Sequence, residues 1–242
     1  TGNRYPLFFP PLHWRERERG RCFNYMELNA KKIDANETAP SALPLLLDDN
    51  GVEWNAIGCN NWAADYPYAP GVHFRIAYTD KALLLHYRVT EDSVRAKYAA
   101  DNEAVWTDSC VEFFVAPGLD DGIYYNLECN CIGTVLLGGG GGEYARTRAS
   151  AAVLDSIKRW TSLGSNPFEE RREKTSWEAA LVVPFTALWL HHFVPAANEV
   201  LRANFFKCGD ELSKPHFLSW APIEADKPNF HLPEFFGKVT LV

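Results

Sequence analysis

The chain has 242 residues, 47% of them hydrophobic and 14% aromatic, enough to fill one large β domain. Its formal net charge of −7 argues against a nucleic-acid backbone or an anionic membrane as the main partner, and no apolar run is long enough to cross a bilayer. The six cysteines make no Cys-x-x-Cys pair and no zinc spacing with histidine; they read as unpaired buried thiols and lean toward a reducing compartment.

Taken in order, Thr1 to Tyr25 mixes prolines, aromatics and an Arg-Glu alternation with no clean period, and reads as an N-terminal extension. No basic-then-apolar leader is recognisable in it. Regular patterning begins near Met26, and residues 26–242 read as a single domain. A short strand is expected over Glu27 to Ile33, and Asp48-Asp49-Asn50-Gly51 is a strong turn signal. Val72 to Thr79 and Ala82 to Val89 alternate with period two around Asp80, as a hairpin does. Glu91 then opens a loop that runs to Trp106. Farther on, Gly138 to Gly142 reads as a flexible hairpin tip; a phosphate cradle would need a following Lys-Ser/Thr and helix. Ala151 to Leu163 and Trp177 to Val183 are expected as further strands or a strand with an irregular lead-in, and Pro184 to Leu188 as one helical turn begun by proline. Leu201 to Phe206, His216 to Trp220 and Phe235 to Leu241 complete the strands. Many short strands, little helix and no βαβ rhythm predict an all-β fold, an antiparallel β-sandwich.

The most informative stretch is Val105 to Leu137. Val111, Phe113 and Val115 share one face of a strand, and Cys110, Glu112 and Phe114 the other. After a Pro117-to-Gly122 loop, Tyr125, Leu127 and Cys129 share a face, with Tyr124, Asn126, Glu128 and Asn130 opposite. A one-residue slip would turn every side chain over, so only one parity sets apolar against apolar. It pairs Val111 with Cys129, Phe113 with Leu127, Val115 with Tyr125, and Glu112 with Glu128. Two carboxylates so placed repel unless a cation, an arginine, a shared proton or a hydroxyl-rich ligand compensates. Trp106 stands just upstream. An indole plate beside carboxylates and amides suits a sugar, whose C–H face lies on the ring while its hydroxyls bond the polar groups.

In order along the chain, Trp106-Thr-Asp108-Ser-Cys-Val-Glu112, Tyr124-Tyr-Asn126-Leu-Glu128-Cys-Asn130-Cys-Ile-Gly133, Trp177-Glu178 with Pro184-Phe185, Arg202-Ala-Asn204-Phe, Ser219-Trp220 and Pro233-Glu-Phe-Phe236-Gly237 resemble the family 9 carbohydrate-binding modules and their single-domain bacterial relatives. The resemblance covers roughly Leu45 to Val242. It implies a sandwich of the immunoglobulin or DOMON-like jelly-roll type, and a binding module rather than a catalyst. It also implies a sugar, typically a chain end, held between two aromatic plates. Trp106 matches the first plate and Glu112 the hydrogen-bonding carboxylate. Phe230 falls where better-known members carry a tryptophan as second plate. Asn126 falls near a position that is basic in some members, Glu128 supports Glu112, and Glu91 takes the approximate place of another acidic contact. Asp108 stands one residue off the usual spacing. The family often carries structural calcium, for which no ligand set maps here; Asp48-Asp49-Asn50, Asp108 and Asp120-Asp121 are the oxygen donors on offer.

Three other readings stand beside this one. Glu112 and Glu128 are a carboxylate pair of the kind a glycoside hydrolase uses. A haem-binding DOMON-like domain would need axial ligands such as Met26 with His73 or His86. An interaction domain with a decayed sugar site is compatible with Phe230.

Overall fold

The computed structural model describes residues 26–35, 39–118, 121–141 and 144–242, so the extension expected over residues 1–25 lies outside the described residues. The described strands are β1 (Glu27–Lys32), β2 (Asn55–Ala56), β3 (Gly71–Tyr78), β4 (Ala82–Glu91), β5 (Val94–Ala96), β6 (Cys110–Ala116), β7 (Ile123–Asn130) and β8 (Val135–Gly141). They continue with β9 (Tyr144–Arg148), β10 (Lys158–Thr161), β11 (Phe168–Arg171), β12 (Thr175–Pro184), β13 (Val200–Cys208), β14 (Phe217–Ser219) and β15 (Gly237–Leu241). Two short helices, α1 (Leu43–Asp49) and α2 (Ala151–Ser156), join them. No helix among the described residues is long and apolar enough to cross a membrane.

The main sheet runs β10-β12-β4-β3-β1-β15-β13-β6-β7-β8-β9, with β2 on β3 and β14 on β13. It curls at β1. Glu27 to Ala30 pair with β15, whereas Lys31 and Lys32 pair with β3, so one strand passes from one sheet of the sandwich to the other. The expected β-sandwich is present, with one departure from a wholly antiparallel plan: both pairings of β1 are parallel. Between the sheets, Phe74 of β3 stacks on Phe205 of β13 with ring centroids 3.7 Å apart, and Phe113 and Trp220 close on the same ring. Each such burial stabilises the fold by roughly 1.5–3 kcal/mol.

Several expected elements take a different form. Over residues 151–163 the strand is the short β10 and its lead-in is helical, because Ser150 caps α2 through its Oγ, which accepts from Val153 N at 3.4 Å. Helix α1 begins with Pro44 in its first turn, and Leu43 and Leu47 cover Ala77, Leu84 and Ala180 on the outside of β3, β4 and β12. The loop after Glu91 contains β5, which pairs with β11.

Gly138 to Gly141 form the end of strand β8 rather than a flexible tip. Gly138 to Gly140 are buried in β8, between β7 and β9. Side chains from both faces occupy the space a Cβ would need: one on Gly138 would lie 2.5 Å from Asn126 Oδ1, and one on Gly139 2.8 Å from the Trp189 ring. Backbone freedom is used at Gly140 and Gly141, whose φ angles of 139° and 123° suit glycine.

Candidate functional site

Strands β6 and β7 pair in the register that the alternation predicts, with Glu112 opposite Glu128 and Phe113 opposite Leu127. Val111, Phe113, Val115, Tyr125, Leu127 and Cys129 enter the core between the sheets. Glu112, Phe114, Asn126 and Glu128 face the other way, onto a surface walled by distant segments rather than left open. Phe206 and Cys208 of β13 flank it on one side, and the chain from Phe217 to Phe236 folds over it. Glu112 and Glu128 are consequently only 3% and 5% exposed. The result is a cavity of about 410 Å³.

Five of the six sequence-predicted residues line this cavity: Trp106, Glu112, Asn126, Glu128 and Phe230. Trp106 is half-buried on a 3-10 turn, Val105–Thr107, at the edge of the cavity. The turn is held from beneath by Asp108, whose carboxylate accepts from Arg95 Nε, Lys97 N, Tyr98 N and Asn130 Nδ2. Phe230 stacks on Phe206 at 4.1 Å and 11° between planes, so one face of its ring already has a partner.

The remaining predicted residue, Glu91, lies elsewhere. On β4 it has the parity of Tyr87 and Val89, which puts it between the sheets. There it accepts from Trp177 Nε1 at 2.6 Å and pairs with the buried Lys207 ammonium at 3.0 Å. Lys207 Nζ also donates to Cys208 O and to His216 Nε2, and burial beside this ammonium depresses the His216 pKa well below its ordinary value. The pair braces the interior and does not face the cavity.

Residues not singled out in the sequence complete the site. Arg146 and Arg148 reach in from β9, over the glycines of β8. Arg146 donates to Gly140 O, Tyr124 O and Asn126 Oδ1, and its guanidinium lies 3.9 Å from the Tyr124 ring centre. Asn126 in turn donates from Nδ2 to Glu128 Oε1 at 2.8 Å. Side chains at positions 138 and 140 would block this route, which gives the glycine run its role. The spacing Arg146-x-Arg148 after a glycine strand is the signal that could have revealed the pair. Asp210 and His231 also line the cavity, and nothing local in the sequence marks them.

The cavity floor holds acids whose protons are hard to remove. Burial, and then the charge of Glu128, push the Glu112 carboxyl well above the usual carboxylate range. Burial lifts Glu128 to about 7, with Asn126 and Arg148 pulling back, and lifts Asp210 to about 6. Glu128 Oε2 is buried without a hydrogen-bond partner. A ligand bearing hydroxyls would satisfy such groups as both donor and acceptor.

Among the described residues, the oxygen donors considered for calcium do not converge. Asp108 spends its oxygens on four protein donors, Asp48 binds Arg75, and Asp121 binds His191 and Ile123 N; Asp120 lies outside the described residues. For haem, His86 has both nitrogens engaged, by Arg75 and Glu178, while His73 faces solvent.

The model of carbohydrate-binding family 9 matches residues 41–241. This chain belongs to that family. Among solved structures, it is similar to one from Bacteroides uniformis described as a carbohydrate-binding protein, with 47% identity, TM-score 0.87, and 90% of this chain and all of that one covered. A family 9 module from Caldicellulosiruptor kristjanssonii in complex with glucose shares 14% identity at TM-score 0.56, over 90% of this chain and 96% of the other. The same organism's module in complex with cellotriose shares 15% identity at TM-score 0.53, over 89% and 93%. At that identity these two show the fold alone. No curated protein is matched.

Proposed function

We propose that this family 9 protein binds carbohydrate without cleaving it, taking one sugar unit at the end of a chain into the cavity beside Trp106. The observation that carries the reading is the convergence of Trp106, Glu112, Asn126, Glu128 and Phe230 on one cavity from four separate segments. An indole at the rim offers a ring face to sugar C–H groups, and the buried acids and amide accept and donate to hydroxyls. A volume of about 410 Å³ lies toward the small end of the roughly 300–1,000 Å³ typical of ligand sites, which favours a single sugar unit over a length of chain.

The paired glutamates are read as a binding pair rather than a catalytic one. A retaining glycosidase needs one carboxylate ionised as nucleophile and the other protonated as acid. Here burial raises both, Glu128 to about 7, and among the described residues no arginine is bonded to either to hold the ionised form. Glucose and cellotriose, the ligands of the two C. kristjanssonii modules, are the first compounds to titrate, followed by a panel of other monosaccharides and chain ends. Trp106→Ala is expected to lose at least about tenfold in affinity, or about 1.4 kcal/mol. Equal calorimetric binding by variant and wild type across the panel overturns the site assignment.

A further inference from the structure

The cavity floor contains a second arrangement, which shares Glu112 with the proposed sugar site and adds two thiols that sugar binding does not use. Cys110 of β6 and Cys208 of β13 stand directly opposite each other. Their sulfurs and a Glu112 carboxylate oxygen lie within 4.8 Å of one another, and all three residues are buried. Cys208 Sγ donates to Glu112 Oε1 at 3.0 Å and lies 3.4 Å from Trp106 O, and Asp210 lines the same cavity. Glu128, opposite Glu112, adds a carboxylate oxygen that is buried, turned into the same cavity and without a partner. Among the described hydrogen bonds no lysine or arginine reaches either sulfur or Glu112; Lys207 lies on the other face of β13. Two thiols and three carboxyls thus converge with nothing cationic bonded to the sulfur side.

We infer that Cys110, Cys208 and Glu112 form a binding site for a thiophilic divalent cation of the zinc class, with Asp210 and Glu128 as neighbouring oxygen donors. Sulfur and carboxylate donors in a closed group suit zinc, which takes four such ligands without geometric preference of its own. Hard cations such as calcium or magnesium favour all-oxygen shells and do not match the sulfurs. Loading is a proton exchange: the cation enters, two thiols become thiolates, Glu112 becomes a carboxylate, and the protons leave to solvent. Glu112, Cys208 and Asp210 all line the cavity, which supplies the entry path. Without a cation, the same thiols would serve only as small apolar fillers. The inference does not rest on the sugar reading.

The test uses the full chain, kept reduced and stripped with a chelator, then titrated with cobalt(II) and zinc(II). A saturable thiolate-to-cobalt charge-transfer band, tetrahedral visible bands, their loss on adding zinc, and release of protons into weak buffer are expected. Cys110→Ser and Cys208→Ser should abolish the band. Glu112→Gln, which keeps the thiols and the side-chain shape, should weaken zinc by at least the roughly 10–100-fold that loss of a supporting ligand contact costs. Cys59→Ser is the control, since Cys59 Sγ bonds Trp220 O outside the group; it should bind cobalt as wild type does. No band in the wild type, or an equal loss in Cys59→Ser, overturns the inference. Sugar titration of the stripped protein is scored separately. A cobalt band without sugar binding refutes only the proposed function, and sugar binding without the band refutes only the metal site.

Discussion

Replacing Glu128 by Gln probes how the cavity trades stability for a binding surface. Burial raises the Glu128 carboxyl from 4.5 to about 7. An acid whose pKa is higher folded than unfolded holds its proton better in the folded chain. The folded state therefore loses stability as pH rises from 4.5 through about 7, and the cost is fully developed above that range. At 1.36 kcal/mol per unit the rise corresponds to about 3 kcal/mol, shared with Glu112 because the two acids titrate together. Glutamine carries no charge to bury and keeps Oε1 as acceptor for Asn126 Nδ2. Its amide can also donate toward the facing Glu112. Glu128→Gln should thus be more stable than wild type by roughly 1–3 kcal/mol near pH 8, and within about 0.5 kcal/mol of it near pH 4. Urea unfolding followed by tryptophan fluorescence at the two pH values measures this difference directly. An equal offset at both pH values, or a less stable variant near pH 8, would refute the electrostatic account. On the proposed function, sugar affinity is expected to move in the opposite direction, since stability would be regained at a group assigned to the sugar.

Gly138→Ala puts a Cβ 2.5 Å from Asn126 Oδ1 and should displace the Arg146–Asn126–Glu128 chain. Loss of about 1–3 kcal/mol in stability, from denaturant unfolding, and weaker sugar binding by calorimetry are expected together. Lys207→Met leaves Glu91 buried without its cation and should cost roughly 3–5 kcal/mol, read from the same unfolding curves. Glu91→Gln combined with Lys207→Met should recover much of that loss, because the double variant buries no charge.

The β6–β7 hairpin was legible without coordinates because side chains alternate on a strand with period two. Parity alone placed Glu112 opposite Glu128 and sent Phe113 and Leu127 inward, and the ordered motifs around it carried the family. The same parity applied to β4 would have placed Glu91 inward with Tyr87 and Val89; the acidic side chain masked that pattern. Gly138 to Gly141 looked like a turn because glycine has no side chain with which to declare a strand. Its conformation is decided by Asn126, Trp189 and Arg146 pressing on both faces of β8.

Alternation says which side chains share a face, but a face becomes core or cavity only according to what covers it. Phe206, Asp210 and His231 come to Glu112 and Glu128 from roughly 80 to 120 residues away along the chain, through strand pairing and a long loop. Only that enclosure raises the pKa values of the acids, brings Cys208 against Glu112, and lets guanidiniums from β9 reach across β8. Local pattern determines orientation; long-range packing determines how far water is excluded, and the chemistry of buried acids and thiols depends on that exclusion.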